Sequence, residues 1–138
     1  MAAFCCQTKF IIYAMSKYIS TIGLLVLSNV FMTLAWYGHL KFFSKEGGHA
    51  STPLWTIILL SWGMAFFEYC FQVPANRIGS SEMGGPFSLV QLKIIQEVIT
   101  LIIFMIFSIT VFKNTQFTTN HLIGFALLVG AVYFIFKA

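Results

Sequence analysis

Residues 19–40, ISTIGLLVLSNVFMTLAWYGHL, form a run of 22 residues without a carboxylate, lysine or arginine. Wound as an α-helix, such a run is about 33 Å long, close to the thickness of a bilayer's hydrocarbon core. Tyr18, Trp36 and Tyr37 lie towards its ends, where aromatic rings favour the boundary between membrane and water. Reading outward, the polar stretch 41–53 leads to a second apolar run, 54–73. Pro53 stands just ahead of it, at a position where a missing N–H leaves no helical bond unmade. The stretch 74–86 begins and ends in proline and contains Gly79, Gly84 and Gly85, so a break in helix is expected from Pro74 onward. A third run covers 88–112, with its apolar part proper from Val98, and a fourth covers 118–136.

Composition supports the same reading. Of 138 residues, 59% are apolar, 17% aromatic and 9% charged, and the mean hydropathy is +0.87. A soluble domain usually has about a quarter of its residues charged, because it presents a wetted surface around one core. Eight Lys+Arg and four acidic residues cannot cover such a surface. A soluble enzyme, a disordered tail and a nucleic-acid binder are therefore excluded as readings. The expected fold class is an all-α integral membrane protein, a four-transmembrane-helix bundle with spans near 19–40, 54–73, 88–112 and 118–136. It forms a single domain over 19–138 behind an N-terminal extension, 1–18. The apolar run 10–15 within that extension lies between Lys9 and Lys17 and is too short to span; Met15 offers an alternative first residue.

Four spans place both termini on one side. Lys9, Lys17, Arg77, Lys93 and Lys137 lie on that side, and Lys41, Lys45 and Lys113 on the other. This bias favours cytoplasmic termini in a cell inner membrane, and its small size also permits insertion in both orientations. Cys5, Cys6 and Cys70 make no CxxC and have no histidine at ligand spacing, so neither a disulfide framework nor a metal site is indicated. No cofactor-binding motif is present, and nothing resembles a nucleophile with its base.

Ionisable and amide groups inside lipid are costly, which makes the few present the leading candidates for function. Glu68 shares a helical face with Ser61, Ala65 and Gln72. Two readings stand open: a proton- or cation-exchanging carboxylate, or an interfacial glutamate that pairs with Arg77. Glu97 follows Lys93 by one turn, as a simple ion pair would. The cluster Gln91, Lys93, Gln96 and Glu97, with Asn76 and Arg77 from the preceding break, forms either a polar vestibule or an interfacial belt. Asn29 lies near the middle of the first span, with Thr33, Trp36 and Tyr37 at helical spacing, and serves a helix-to-helix hydrogen bond or a weakly polar pocket. Trp55, Trp62, Phe66 and Tyr69 give the second span an aromatic run that faces lipid or attracts organic cations. The candidate proton and substrate site is thus Glu68, Glu97, Asn29, Gln72, Tyr69, Trp36 and Trp62. The candidate vestibule is Arg77, Asn76, Lys93 and Gln96.

The segments Glu68-Tyr69-Cys70-Phe71-Gln72-Val73-Pro74-Ala75-Asn76-Arg77-Ile78-Gly79 and Phe87-Ser88-Leu89-Val90-Gln91-Leu92-Lys93-Ile94-Ile95-Gln96-Glu97 resemble an uncharacterised four-helix bacterial family of the drug/metabolite transporter (DMT) superfamily. The likeness covers about residues 18–137. The order of elements is also distantly similar to the small multidrug resistance exporters, which are four-helix, dual-topology homodimers exchanging protons for cationic drugs. In those exporters a glutamate in the first helix carries the proton; here the first span has no carboxylate, and Asn29 is its nearest polar occupant. The stretch 115–120 followed by Gly124 and Gly130 resembles the approach to the last, dimerising helix of those exporters. What the resemblance implies is a small transporter, not an enzyme, embedded in membrane lipid. It would work as a homodimer or beside a paired small subunit, with the coupling role moved to Glu68 or Glu97. The alternative is a non-transporting structural or accessory membrane protein that binds a partner.

Overall fold

The structure, a computed structural model, describes residues 2–43, 52–112 and 118–137. Among the described residues are four α-helices and no strand: α1 Ala2–Phe42, α2 Leu54–Gly79, α3 Leu89–Val111 and α4 Thr119–Lys137, with a single 3-10 turn at Ser81–Met83. Three helices are long and apolar enough to cross a membrane, over Tyr13–Phe42, Leu54–Gly79 and Leu89–Val111, and the fourth is a shorter apolar one. Lys45, Glu46, His49 and Lys113, and the side chains of Cys5, Cys6 and Lys9, lie outside the described residues.

The helices begin and end close to where the apolar runs do, with two differences. α1 does not start at residue 19: residues 2–18 continue the same helix. Ser16 and Lys17 interrupt the apolar pattern without being helix breakers, and Lys17 lies over the Tyr13 ring while its Nζ donates to Gly84 O at 2.7 Å. The second difference corrects the break expected at Pro74. α2 passes through that proline and ends only at Gly79. A proline inside a helix removes one N–H and crowds the carbonyl four residues back, at a cost of about 3 kcal/mol in a free helix. Here Gln72 lies before the proline and Ala75 and Gly79 after it, all three buried against the bundle, while Pro74 itself faces outward. Packing on both sides of the proline holds the helix through it.

Contacts across the bundle set the register. Gly79 packs against Thr21 and Ser28 bonds to Gln72, so α1 and α2 run antiparallel. Tyr18 meets Phe87 and Tyr37 meets Phe104, so α3 runs parallel to α1. Phe31 stacks between Phe67 and Phe71 of α2, filling the seam beside the polar line. α4 makes its main contact with α3 and exposes Leu127, Val129, Tyr133 and Phe134.

The interior is more polar than the exterior. Thr21, Ser28, Asn29, Thr33, Gln72 and Ser108 are buried, and the apolar side chains buried with them are Leu25, Ala35, Ala75, Phe87 and Leu92. Trp62, Tyr69, Leu89 and Phe134 face outward. A bilayer explains this order, because lipid tails receive apolar side chains as readily as a core does, whereas hydroxyls and amides need partners inside the bundle.

The connection from α2 to α3 is a closed turn. Phe87 N donates to Gly79 O at 2.9 Å, Ser81 N to Phe87 O at 2.7 Å and Gly85 N to Ser80 O at 2.7 Å. α3 opens on a capping box: Gln91 N donates to the Ser88 hydroxyl at 3.3 Å, and Ser88 N donates to Gln91 Oε1 at 3.0 Å. Gln91, grouped in sequence with a vestibule or belt, is therefore engaged in starting the helix.

Candidate functional site

Ser28 and Asn29 are neighbours on α1, and one residue turns a helix by about 100°. They consequently address different helices. The Ser28 hydroxyl donates to Gln72 Oε1 on α2 at 2.7 Å, and Gln72 Nε2 reaches Asn76 Oδ1 at 3.4 Å. Asn29 Oδ1 accepts from the Thr100 hydroxyl on α3, and Asn29 Nδ2 donates to Leu25 O at 2.8 Å. Asn29 has no exposed surface, so its amide joins helices and has no face left for a ligand.

Replacing Thr100 by valine keeps the shape and removes that link. The expected cost is about 1 kcal/mol of bundle stability, read as an earlier unfolding midpoint in a detergent titration of the purified protein.

Glu68 lies on the α2 stripe of reduced exposure, Ile57, Ser61, Met64, Glu68, Gln72, Ala75 and Gly79, while Phe66, Phe67, Tyr69 and Cys70 around it are exposed. The register of Thr21 with Gly79 and Ser28 with Gln72 sets Glu68 level with Met32 of α1. Since α2 reaches Gly79, the carboxylate lies about 21 Å from one end of the helix and about 16 Å from the other. It is therefore near mid-helix, deeper than a span ending at residue 73 would put it. Arg77 is nine residues further along, about 13 Å away on the axis and on the opposite side of the helix. Among the described residues the ion pair is Lys93 with Glu97, at 2.6 Å and at least half exposed on both sides, and Glu68 has none.

The other candidates separate into three places. Asn76, Arg77, Lys93 and Gln96 come together, with Ser80 and Glu82, around a cleft of about 390 Å³ between the end of α2 and the start of α3. Trp36 lines a smaller cavity of about 210 Å³ with Thr33, Tyr37 and Thr100. Trp62 and Tyr69 are on the outer surface of α2, 71% and 61% exposed, whereas Gln72 is buried. Sequence reasoning passed over Ser28 and Thr100. The available signals were the adjacency of Ser28 to Asn29 and the one-turn spacing of Thr100 from Gln96, whose carbonyl lies 2.8 Å from the Thr100 hydroxyl and competes with Asn29 for its single proton.

Asn76 at the cleft, Gln72 bonded to it and to Ser28, and Glu68 one turn further along α2 form a row of polar side chains. Against known families, a model described as "Putative member of DMT superfamily (DUF486)" matches residues 21–136. No curated protein and no solved structure matches the chain.

Proposed function

The chain belongs to this family of the drug/metabolite transporter superfamily, and from that premise we propose that it is a small membrane transporter that exports small solutes, cationic solutes first among them, in exchange for protons. The observation that carries the reading is Glu68, a carboxylate near the middle of α2 without an ion-pair partner among the described residues and one turn from buried Gln72. A charged group at that depth is expensive, and exchanging a proton or a cationic solute is what such a group can do. The cleft at Asn76, Arg77, Lys93 and Gln96 is the vestibule of the path.

The working unit is a homodimer. Four helices enclose too little space for a solute pathway, and two copies supply alternating access around a midplane site. Gly124 and Gly130 of α4 have open space beside them, and such small positions let a second helix approach closely, which supports α4 as the helix that meets the second copy. The protein resides in the inner membrane with its termini on the cytoplasmic side, and the small basic bias allows copies in both orientations.

The test is a panel of cationic, neutral and anionic solutes applied to proteoliposomes, with currents recorded under a pH gradient. At least one solute class is expected to drive current above protein-free vesicles. Silence in every class with folded protein rejects transport and leaves the accessory membrane protein reading in its place.

A further inference from the structure

We propose that the cleft between α2 and α3 binds a zwitterionic group, an oxyanion joined to an ammonium by a short linker, and that the phosphoethanolamine headgroup of a membrane lipid is its source. Arg77, Glu82 and Lys93 are the charged residues that line the cleft. The Lys93 ammonium is taken by Glu97 at 2.6 Å, whereas Arg77 and Glu82 have no ion-pair partner among the described residues. A simple anion would meet the Glu82 carboxylate, and a simple cation the Arg77 guanidinium. A ligand carrying both charges satisfies both residues.

Donors for the oxyanion are present. Arg77 offers a planar fork suited to phosphate, and Ser80 and Gln96 add a hydroxyl and an amide to the lining. Asn76 uses its oxygen to accept from Gln72, which leaves Nδ2 as a donor. Position favours a lipid over a solute from bulk water. The cleft is formed by the last turns of one membrane-spanning helix and the first turns of the next, the level at which headgroups lie. Val73, Met83 and Leu89 share its wall and are 49%, 62% and 70% exposed, an apolar flank for the glycerol and upper acyl chain.

The experiment offers the purified full-length protein phosphatidylethanolamine, phosphatidylglycerol and phosphatidylcholine in mild detergent and counts retained lipid by native mass spectrometry. A parallel calorimetric arm offers O-phosphoethanolamine and alanine in water. Phosphatidylethanolamine is expected to be retained about tenfold over the other two, the discrimination that one charge-assisted hydrogen bond provides. Phosphatidylglycerol has no ammonium, and the choline headgroup has no N–H for Glu82. Arg77→Gln lowers retention of all three, whereas Glu82→Gln removes the preference and raises phosphatidylglycerol retention, because the carboxylate that opposes an anion is gone. Both side chains are exposed, so the variants keep the bundle, checked by gel filtration. Binding in the water-soluble arm alone, with the same dependence on Arg77 and Glu82, assigns the site to a soluble zwitterion and overturns the lipid source. Equal retention of the three lipids with no soluble binding, or a preference that both variants preserve, overturns the site.

Discussion

A Gly85→Ala variant is expected to lose about 3 kcal/mol of stability, the upper end of what forced overpacking costs. A Cβ at Gly85 would run into the backbone carbonyls of Gly79 and Ile78, and backbone cannot rotate out of the way. The turn that holds Gly85 is the one closed by Phe87 N to Gly79 O and Gly85 N to Ser80 O. To admit the methyl group, α2 and α3 must move apart where Thr21, Gly79 and Leu92 pack. The neighbouring glycines provide the comparison. A Cβ at Gly79 would fall 2.6 Å from Thr21 Cγ2 and 2.8 Å from Leu92 Cδ2, side-chain atoms of buried residues that give way less easily than solvent-exposed ones but more easily than backbone, so Gly79→Ala costs about 2 kcal/mol. Gly84 has open space but a φ of 75°, so Gly84→Ala loses about 1 kcal/mol to backbone strain alone. Unfolding midpoints in a detergent titration should therefore fall in the order Gly84, Gly79, Gly85, with Gly85 the least stable. A Gly85→Ala protein as stable as the native one would mean that the turn is not built this way.

Residues 19–40 and the three later apolar runs were legible as helices because length and hydropathy in a bilayer leave few alternatives. Pro74 was misleading for a reason that no local rule contains: Gln72, Ala75 and Gly79 around it are buried, with Gln72 bonded to Ser28 and Gly79 packed on Thr21 of α1. Propensity is local, and the packing that overrides it comes from residues about fifty positions away. Likewise, the extension 1–18 reads as interrupted because Ser16 and Lys17 are polar, yet Lys17 has a carbonyl at Gly84 to meet. The cleft residues came together because Asn76 and Arg77 end one helix as Lys93 and Gln96 begin the next, a proximity that chain order alone supplies. Trp62 and Tyr69 could not be placed in the same way, since an aromatic run on a single helix does not say which face meets lipid. Ser28 and Thr100 were hidden in apolar runs, where one hydroxyl carries little signal until its partner is known.

The largest functional effect is expected at Glu68. Replacing it with glutamine keeps size and hydrogen-bonding capacity and removes only the exchangeable charge. If Glu68 carries the coupled proton, flux driven by a pH gradient drops about a hundredfold, in the range lost when a positioned proton-transfer group is removed. Glu97→Gln is the matched control. Its carboxylate is paired with Lys93 at 2.6 Å and half exposed, and exposed pairs contribute little, so flux changes by less than about threefold. Glu68 shares its stripe with Gln72 and Ala75, so the variant's assembly is checked by gel filtration before flux is read. The deciding measurement is the pH-gradient-driven current carried by an active solute in proteoliposomes of the native, Glu68→Gln and Glu97→Gln proteins, at equal protein content. Current lost in Glu68→Gln and kept in Glu97→Gln is the predicted result; current undiminished in a folded Glu68→Gln protein would contradict the account.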